Sequence, residues 1–175
     1  MAASFYMENQ RIFFDLDGVL AVWFYTPIED VAKKGYFAGL PAQENVVNAF
    51  KILELQPGIE LFVLSSVFLD NHSEADKRTW VAKHLGLADK HQIYCPYGRE
   101  KETALEEIGG IRASDVLIDD FSRNLHHWRG IPIKLYNGIN GTKGTWCGHS
   151  VHADMEADIL ARQIYEIATV QFSCS

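Results

Sequence analysis

Short apolar runs alternate along the chain with longer stretches whose apolar residues recur at helical spacing. Arg11-Ile-Phe-Phe-Asp-Leu16, Glu60-Leu-Phe-Val-Leu-Ser65, Gln92-Ile-Tyr-Cys95, Asp115-Val-Leu-Ile-Asp119 and Pro132-Ile-Lys-Leu-Tyr136 predict five buried strands. Between them, Glu44 to Leu55 places Val47, Phe50 and Leu55 on one side, Ser73 to Leu85 opens on Ser-Glu-Ala-Asp, and Glu100 to Ile108 stops at Gly109-Gly110. Asp154 to Val170 repeats Met155, Ile159, Ile164 and Ile167 and predicts a closing helix. This alternation predicts an α/β fold, a mostly parallel sheet with helices on both faces and its chemistry at the carboxyl ends of the strands. The interval from Ala21 to Pro57 is too long for a simple crossover. It holds Trp23, Phe24, Tyr25, Tyr36, Phe37 and a stop at Gly39-Leu-Pro41, so a small cap is expected over approximately residues 21–57. There is no internal repeat, low-complexity tract or linker, and residues 1–175 are expected to form a single domain.

Composition narrows the function. At 47% hydrophobic and 22% charged, the 175 residues are those of a globular protein and exclude disorder, collagen-like repeats and a coiled coil. Sixteen Lys+Arg against 23 Asp+Glu leave a net charge of -7, without the broad basic face that a polymeric nucleic acid requires. A small anionic partner remains compatible, because a metal ion and one or two lysines reverse the potential locally. The longest apolar run, Leu61 to Leu69, is interrupted by Ser65 and Ser66 and is far short of the ~20 residues of a membrane helix. The start, Met1 to Gln10, carries Glu8 and no basic residue, unlike a secretory signal, so a cytoplasmic location is expected. Three cysteines, Cys95, Cys147 and Cys174, argue for reduced thiols over a disulfide framework. In that setting the glycosylation patterns at Asn71-His-Ser and Asn140-Gly-Thr read as chance.

The candidate chemistry begins at Phe13-Phe14-Asp15-Leu16-Asp17-Gly18-Val19-Leu20. Residues two apart in a strand face the same side, so Asp15 and Asp17 converge at the strand end, and Gly18 lets the chain turn away. Two carboxylates so close imply either Mg2+ between them or a raised pKa on one; a solvated turn that uses Asp for its side-chain hydrogen bonds is the bland alternative. A second apolar strand, Asp115-Val-Leu-Ile, ends in Asp119-Asp120, and a parallel sheet brings the two ends to one rim. Four carboxylates at one rim are electrostatically costly without a divalent cation. Ser65 and Ser66 end the second strand, while Lys77 and Lys101 open the helices after the second and third. Their hydroxyl and ammonium groups suit phosphate oxygens opposite a metal.

With these motifs in order (Asp15-Leu-Asp17-Gly-Val-Leu, Val63-Leu-Ser65, a lysine, and Leu117-Ile-Asp119-Asp120), the chain resembles the haloacid dehalogenase (HAD) superfamily of phosphohydrolases. Gly35-Tyr-Phe-Ala-Gly-Leu-Pro41, Asp76-Lys-Arg-Thr-Trp-Val-Ala-Lys-His-Leu-Gly86 and Arg99-Glu-Lys101 narrow the resemblance to the 5'(3')-deoxyribonucleotidases. It spans Ile12 to Trp128, about two thirds of the chain. Ser65-Ser66-Val67 stands where Thr-Ser-Pro is common in that family, and Val22 where an acidic residue is frequent.

The resemblance implies a HAD-like Rossmannoid fold with the small cap after the first strand, and covalent phosphotransfer to Asp15. Asp17 would act as acid and then base, and its backbone carbonyl, Asp15 and Asp120, in preference to Asp119, would hold Mg2+. Ser65, Ser66, Lys77 and Lys101 would bind phosphate, with the third-motif lysine open between Lys101, favoured by Arg-x-Lys, and Lys77. The implied partner is a small phosphate ester, a nucleoside monophosphate above all, whose base would stack on Trp23, Tyr36 and Phe37, three aromatics that suit a small core of the cap equally. Oligomeric state is left open, a homodimer included.

Other signals are weaker. Cys147-Gly-His149-Ser-Val-His152 offers three metal ligands without a fourth, and a solvated loop is the simpler expectation. His126-His127 suits a helix end. Cys95 to Arg99 is too short for a cysteine-phosphatase loop, residues 141–144 lack the Walker pattern, and Ser65 lies outside a Gly-x-Ser-x-Gly elbow. Asn124 either orders a metal-bound water or is an exposed helical residue. Two functional alternatives follow: a phosphatase of the same fold for another small ester, and a receiver-like module that holds phosphate without turning it over. Asp17 favours turnover, since a receiver needs no acid there.

Overall fold

The structure is a computed structural model that describes residues 8–70, 72–140 and 146–170. Asn71, residues 141–144, Cys174 and the chain start up to residue 7 lie outside the described residues. Six parallel strands form one sheet: β1 (Gln10–Phe14), β2 (Ile59–Val67), β3 (Gln92–Pro96), β4 (Val116–Asp119), β5 (Ile131–Tyr136) and β6 (His149–His152). Their order is β3-β2-β1-β4-β5-β6. The chain therefore proceeds outward from β1 to β3 and then restarts on the other side of β1, which makes the carboxyl ends of β1 and β4 the switch point where such sheets bind ligands.

The helices cover both faces, because successive strand residues point to opposite sides. Ile12 and Phe14 of β1, Leu61 and Val63 of β2, and Val116 and Ile118 of β4 belong to one core. On that side lie α2 (Glu44–Glu54), α3 (Ser73–His84) and α5 (Ala157–Thr169), through Val46, Phe50, Leu53, Trp80, Leu160 and Ile164. Phe13, Phe62, Leu64 and Leu117 form the opposite core with Leu105, Leu125 and Trp128, under a 3-10 helix (Lys101–Ile108) and α4 (Ser122–His126). Each of these fully buried large side chains contributes about 1.5–3 kcal/mol by leaving water.

Several elements depart from expectation. The segment after Glu100 is a 3-10 helix, ended by Gly109 at φ 88. Leu55, expected on the buried side of α2, is its exposed C-cap, and Val46, Ala49 and Leu53 fill the inward face instead. His149–His152, expected as a solvated loop, is an edge strand on β5 with only Val151 buried. Helix α2 lies inside the interval expected for the cap but packs on α5 and β2, so it is a crossover of the sheet. The rest of that interval holds α1 (Ile28–Val31) and a 3-10 turn (Phe37–Gly39) that packs on α3, and its Val31, Phe37 and Leu40 join the core on that side of the sheet. It is tied to α3 by the Gly35 N–H donating to Asp76 Oδ2 (2.6 Å) and the Trp80 indole N–H donating to Leu40 O (2.8 Å).

Candidate active site

The two strand ends meet as the topology requires. Phe14 pairs with Ile118, and the Asp15 N–H donates to Ile118 O at 2.9 Å, so Asp15 and Asp119 leave adjacent parallel strands side by side. The chain then folds back after Leu16, whose carbonyl accepts from the N–H groups of Val19, Leu20 and Ala21, and the Gly18 N–H closes the turn on Ala21 O at 2.8 Å. Asp15, Asp119 and Asp120 are buried and each places a carboxylate oxygen within 4.8 Å of the others; among the described residues this is the only such group of acidic, His or Cys side chains. Cys147, His149 and His152 form no comparable cluster.

Two lysines divide the rim between them. Lys101 Nζ lies 2.6 Å from Asp15 Oδ1 and donates to Asp119 Oδ2 at 2.7 Å. Lys77 Nζ pairs with Asp17 Oδ2 and donates to Ser65 Oγ (3.1 Å) and Ser66 O (2.6 Å), with the Phe37 ring centroid 4.4 Å away. Burial works against the charge on Lys101, but Asp119 and then Asp15 outweigh it and hold its ammonium form above the usual range. Asp119 has both oxygens engaged. Its Oδ1 accepts the Phe121 N–H at 2.8 Å, and its Oδ2 accepts Asn124 Nδ2 (2.9 Å) as well as Lys101.

The charge balance of the rim is unfavourable. Burial first, and then the neighbouring charges of Asp119 and Asp15, push Asp120 up to about 7. Asp119 and Asp17 are also raised by burial, against the pull of Lys101 and Lys77 respectively. At an effective dielectric of about 20, two ionised carboxylates 4.8 Å apart repel by roughly 3–4 kcal/mol. A proton or a cation must offset this. Buried carboxylate oxygens without thiolate or imidazole are hard donors, which suit a divalent cation of the Mg2+ class. The residues present therefore fit such an ion.

Above the rim opens a cavity of about 470 Å³ whose lining includes Asp15, Asp17, Ser66, Lys77, Lys101 and Asp120. Trp23 and Phe37 also line it. Tyr36 does not; it packs edge-on to both rings and its hydroxyl donates to Thr26 Oγ1 at 3.1 Å. Ser65 lies beneath, fully buried. Residues outside the sequence expectation complete the walls. Phe68, Tyr97, Phe121 and Trp128 add aromatic surface, and Arg99 and Arg123 add positive charge. Phe68 and Tyr97 follow strand ends, so the strand-end rule that found the aspartates could have found them too. Asn137 and Asn140, whose amides donate to Asp120, sit in a loop where asparagine is the common turn residue, and nothing in the sequence marks them. Asn124, expected either to order a metal-bound water or to be an exposed helical residue, lines the cavity with its amide on Asp119, and His127 lines it too while His126 packs on Trp146.

No protein-family model matches the chain, and no curated protein sequence matches it. Solved structures do. One is the crystal structure of a candidate HAD-like phosphatase from Mesorhizobium loti, which superposes with a TM-score of 0.57 at 13% identity over 93% of this chain and 88% of the other. Among the described residues no helix is long and apolar enough to cross a membrane. The chain has the six-stranded parallel α/β fold of that HAD-like neighbour, with its carboxylate cluster at the switch point of the sheet.

Proposed function

We propose that the protein is a Mg2+-dependent phosphomonoester hydrolase of the HAD type, acting on (deoxy)nucleoside monophosphates as a 5'(3')-deoxyribonucleotidase. The observation that carries this reading is the division of labour at the rim: Asp15 beside Lys101, and Asp17 on Lys77 beside Ser65, both opening into one cavity. A carboxylate oxygen of Asp15 attacks phosphorus and the bond to the ester oxygen breaks, leaving an aspartyl-phosphate. Asp17, whose burial favours a retained proton, gives that proton to the departing oxygen. Water then attacks phosphorus, returns a proton to Asp17, and releases phosphate and Asp15. Lys77, Lys101 and Ser66 neutralise and orient the phosphoryl oxygens, while Ser65, buried beneath the cavity, holds the Lys77 ammonium in place. Asp15, the Asp17 carbonyl and Asp120 would hold Mg2+, which would supply further charge neutralisation. Asp120 is the better donor of the terminal pair because both oxygens of Asp119 are already engaged.

The substrate class follows from the walls. A cavity of about 470 Å³ suits a ligand of nucleotide size. Trp23 offers a base-stacking face, with Tyr36 packed edge-on against it, whereas Phe37 is only 3% exposed and its ring face is taken by the Lys77 ammonium. The segment between β1 and α2 acts as the cap that excludes water. The buried, free thiol of Cys95 suits a cytoplasmic enzyme.

The test is a panel of nucleoside monophosphates, sugar phosphates and an aryl phosphate, assayed with chelator and with Mg2+. Activity lost in chelator, restored by Mg2+ and highest on deoxyribonucleoside monophosphates is expected. Full activity in excess chelator would sink the metal-dependent reading. A panel in which nucleotides are the poorest substrates would reassign the site to another small ester.

A further inference from the structure

The loop after β5 reaches back across the carboxylate rim. Asn137 Nδ2 donates to Gly18 O and to Asp120 Oδ2, both at 2.7 Å, and Asn140 Nδ2 donates to the same Oδ2 at 2.5 Å. The orientation of the Asn137 amide is set independently, because its Oδ1 accepts the backbone N–H groups of Ile139 (2.9 Å) and Asn140 (3.0 Å). Those two bonds also shape the turn that delivers Asn140. Two amides from one loop thus converge on one oxygen of one buried carboxylate.

A carboxylate oxygen offers two lone-pair sites, and at Asp120 Oδ2 both are filled by amide donors. Oδ1 is the oxygen left for a cation. We propose that Asn137 and Asn140 are positioning residues that hold Asp120 as a one-oxygen ligand, and that this restriction makes the site select a small octahedral cation over Ca2+. The inference rests on the metal-dependent reading of the site given above. Mg2+ demands near-ideal octahedral geometry and takes carboxylates through single oxygens, whereas Ca2+ reaches its six to eight ligands partly through two-oxygen carboxylates. Blocking the second oxygen withholds from Ca2+ a binding mode that Mg2+ does not use. Releasing it gives Asp120 freedom to swing, which costs Mg2+ a fixed donor and offers Ca2+ an added one.

The experiment is calorimetric titration of the full chain, stripped with chelator, with Mg2+ and separately with Ca2+, for the wild type, Asn140→Ala and Asn137→Ala. Asn140→Ala is the cleaner variant, since Asn137 also holds Gly18 O and the turn, and Asn140→Ser is the substitute if the alanine variant misfolds by circular dichroism. Loss of a group that orients a metal ligand typically weakens binding about 10- to 100-fold. The expected result is a weakening of that size for Mg2+ and a smaller one for Ca2+, so that the preference for Mg2+ narrows. Unchanged Mg2+ affinity in folded variants overturns the proposal, and so does an equal loss for both ions, which would make the asparagines general supports of the loop. A wild-type chain that binds neither ion instead overturns the metal-dependent reading on which the proposal stands.

Discussion

Replacing Gly18 with alanine separates the two things that residue does. Gly18 turns at φ +81, a conformation that costs an alanine about 1–2 kcal/mol. An added Cβ would also stand 2.2 Å from Asp120 Oδ2, 2.7 Å from its Cγ and 3.1 Å from Asn137 Nδ2. The carboxylate must retreat by about 1 Å, and a displacement of that size at a reacting centre costs on the order of 100-fold in rate. In a chain of this length the backbone strain alone lowers Tm by roughly 2–8 °C. Gly58 supplies the control, because its φ is +77 and nothing lies within 4 Å of the position its Cβ would take. Gly58→Ala should therefore lose similar thermal stability and keep kcat/KM on an aryl phosphate within about twofold, whereas Gly18→Ala should lose about 100-fold. If the two variants keep equal activity, contact between Gly18 and Asp120 has no bearing on turnover and the placement of Asp120 in the site is wrong.

Three further outcomes follow. Asp15→Asn should abolish turnover of every phosphate ester, and beryllofluoride should attach to the wild type at Asp15 and not at Asp119; near-normal rates in the variant would rule out the covalent route. Asp115→Ala strands the buried guanidinium of Arg11, which pairs with it at 2.5 and 2.8 Å, and should cost about 3–5 kcal/mol in urea denaturation while leaving the kinetics of the folded fraction intact. Trp23→Ala should raise KM for nucleotides and spare the aryl phosphate, stacking being worth about 1–3 kcal/mol per base, while Tyr36→Ala, off the cavity wall, should act through stability alone; equal loss on both substrates for Trp23→Ala would show the indole to be cap core.

What the sequence revealed follows from how strongly each feature is patterned. Asp15 and Asp119 end apolar runs, and a parallel sheet has no way to separate the ends of paired strands, so their meeting was readable without coordinates. The edge strand His149–His152 was not readable, because a strand paired on one side needs little apolar surface and only Val151 supplies it. The 3-10 geometry after Glu100 depends on hydrogen-bond spacing that residue identity does not dictate. Tyr36 and Trp23 look alike as aromatics in one insertion, and only the packing of the tyrosine hydroxyl on Thr26 tells cap core from cavity wall. Arg11 and Asp115 are 104 positions apart, each an ordinary polar residue beside an apolar run, and nothing local announces that they pair in the interior.

That pair bears on why the rim can exist at all. β1 and β4 are neighbours, and their carboxyl ends carry Asp15 and Asp119, like charges bridged by the single ammonium of Lys101. At the opposite end of the same two strands, Arg11 clamps Asp115 through two hydrogen bonds and ties Ile108 O (3.1 Å) and Gly110 O (2.7 Å) to the sheet, while Gln10 reaches Ser114 O at 2.5 Å. Opposite charges at the amino end thus hold together two strands that repel at the carboxyl end. A buried carboxylate cluster destabilises the fold where it sits, and the compensation lies one strand length away, at the opposite end of the same two strands.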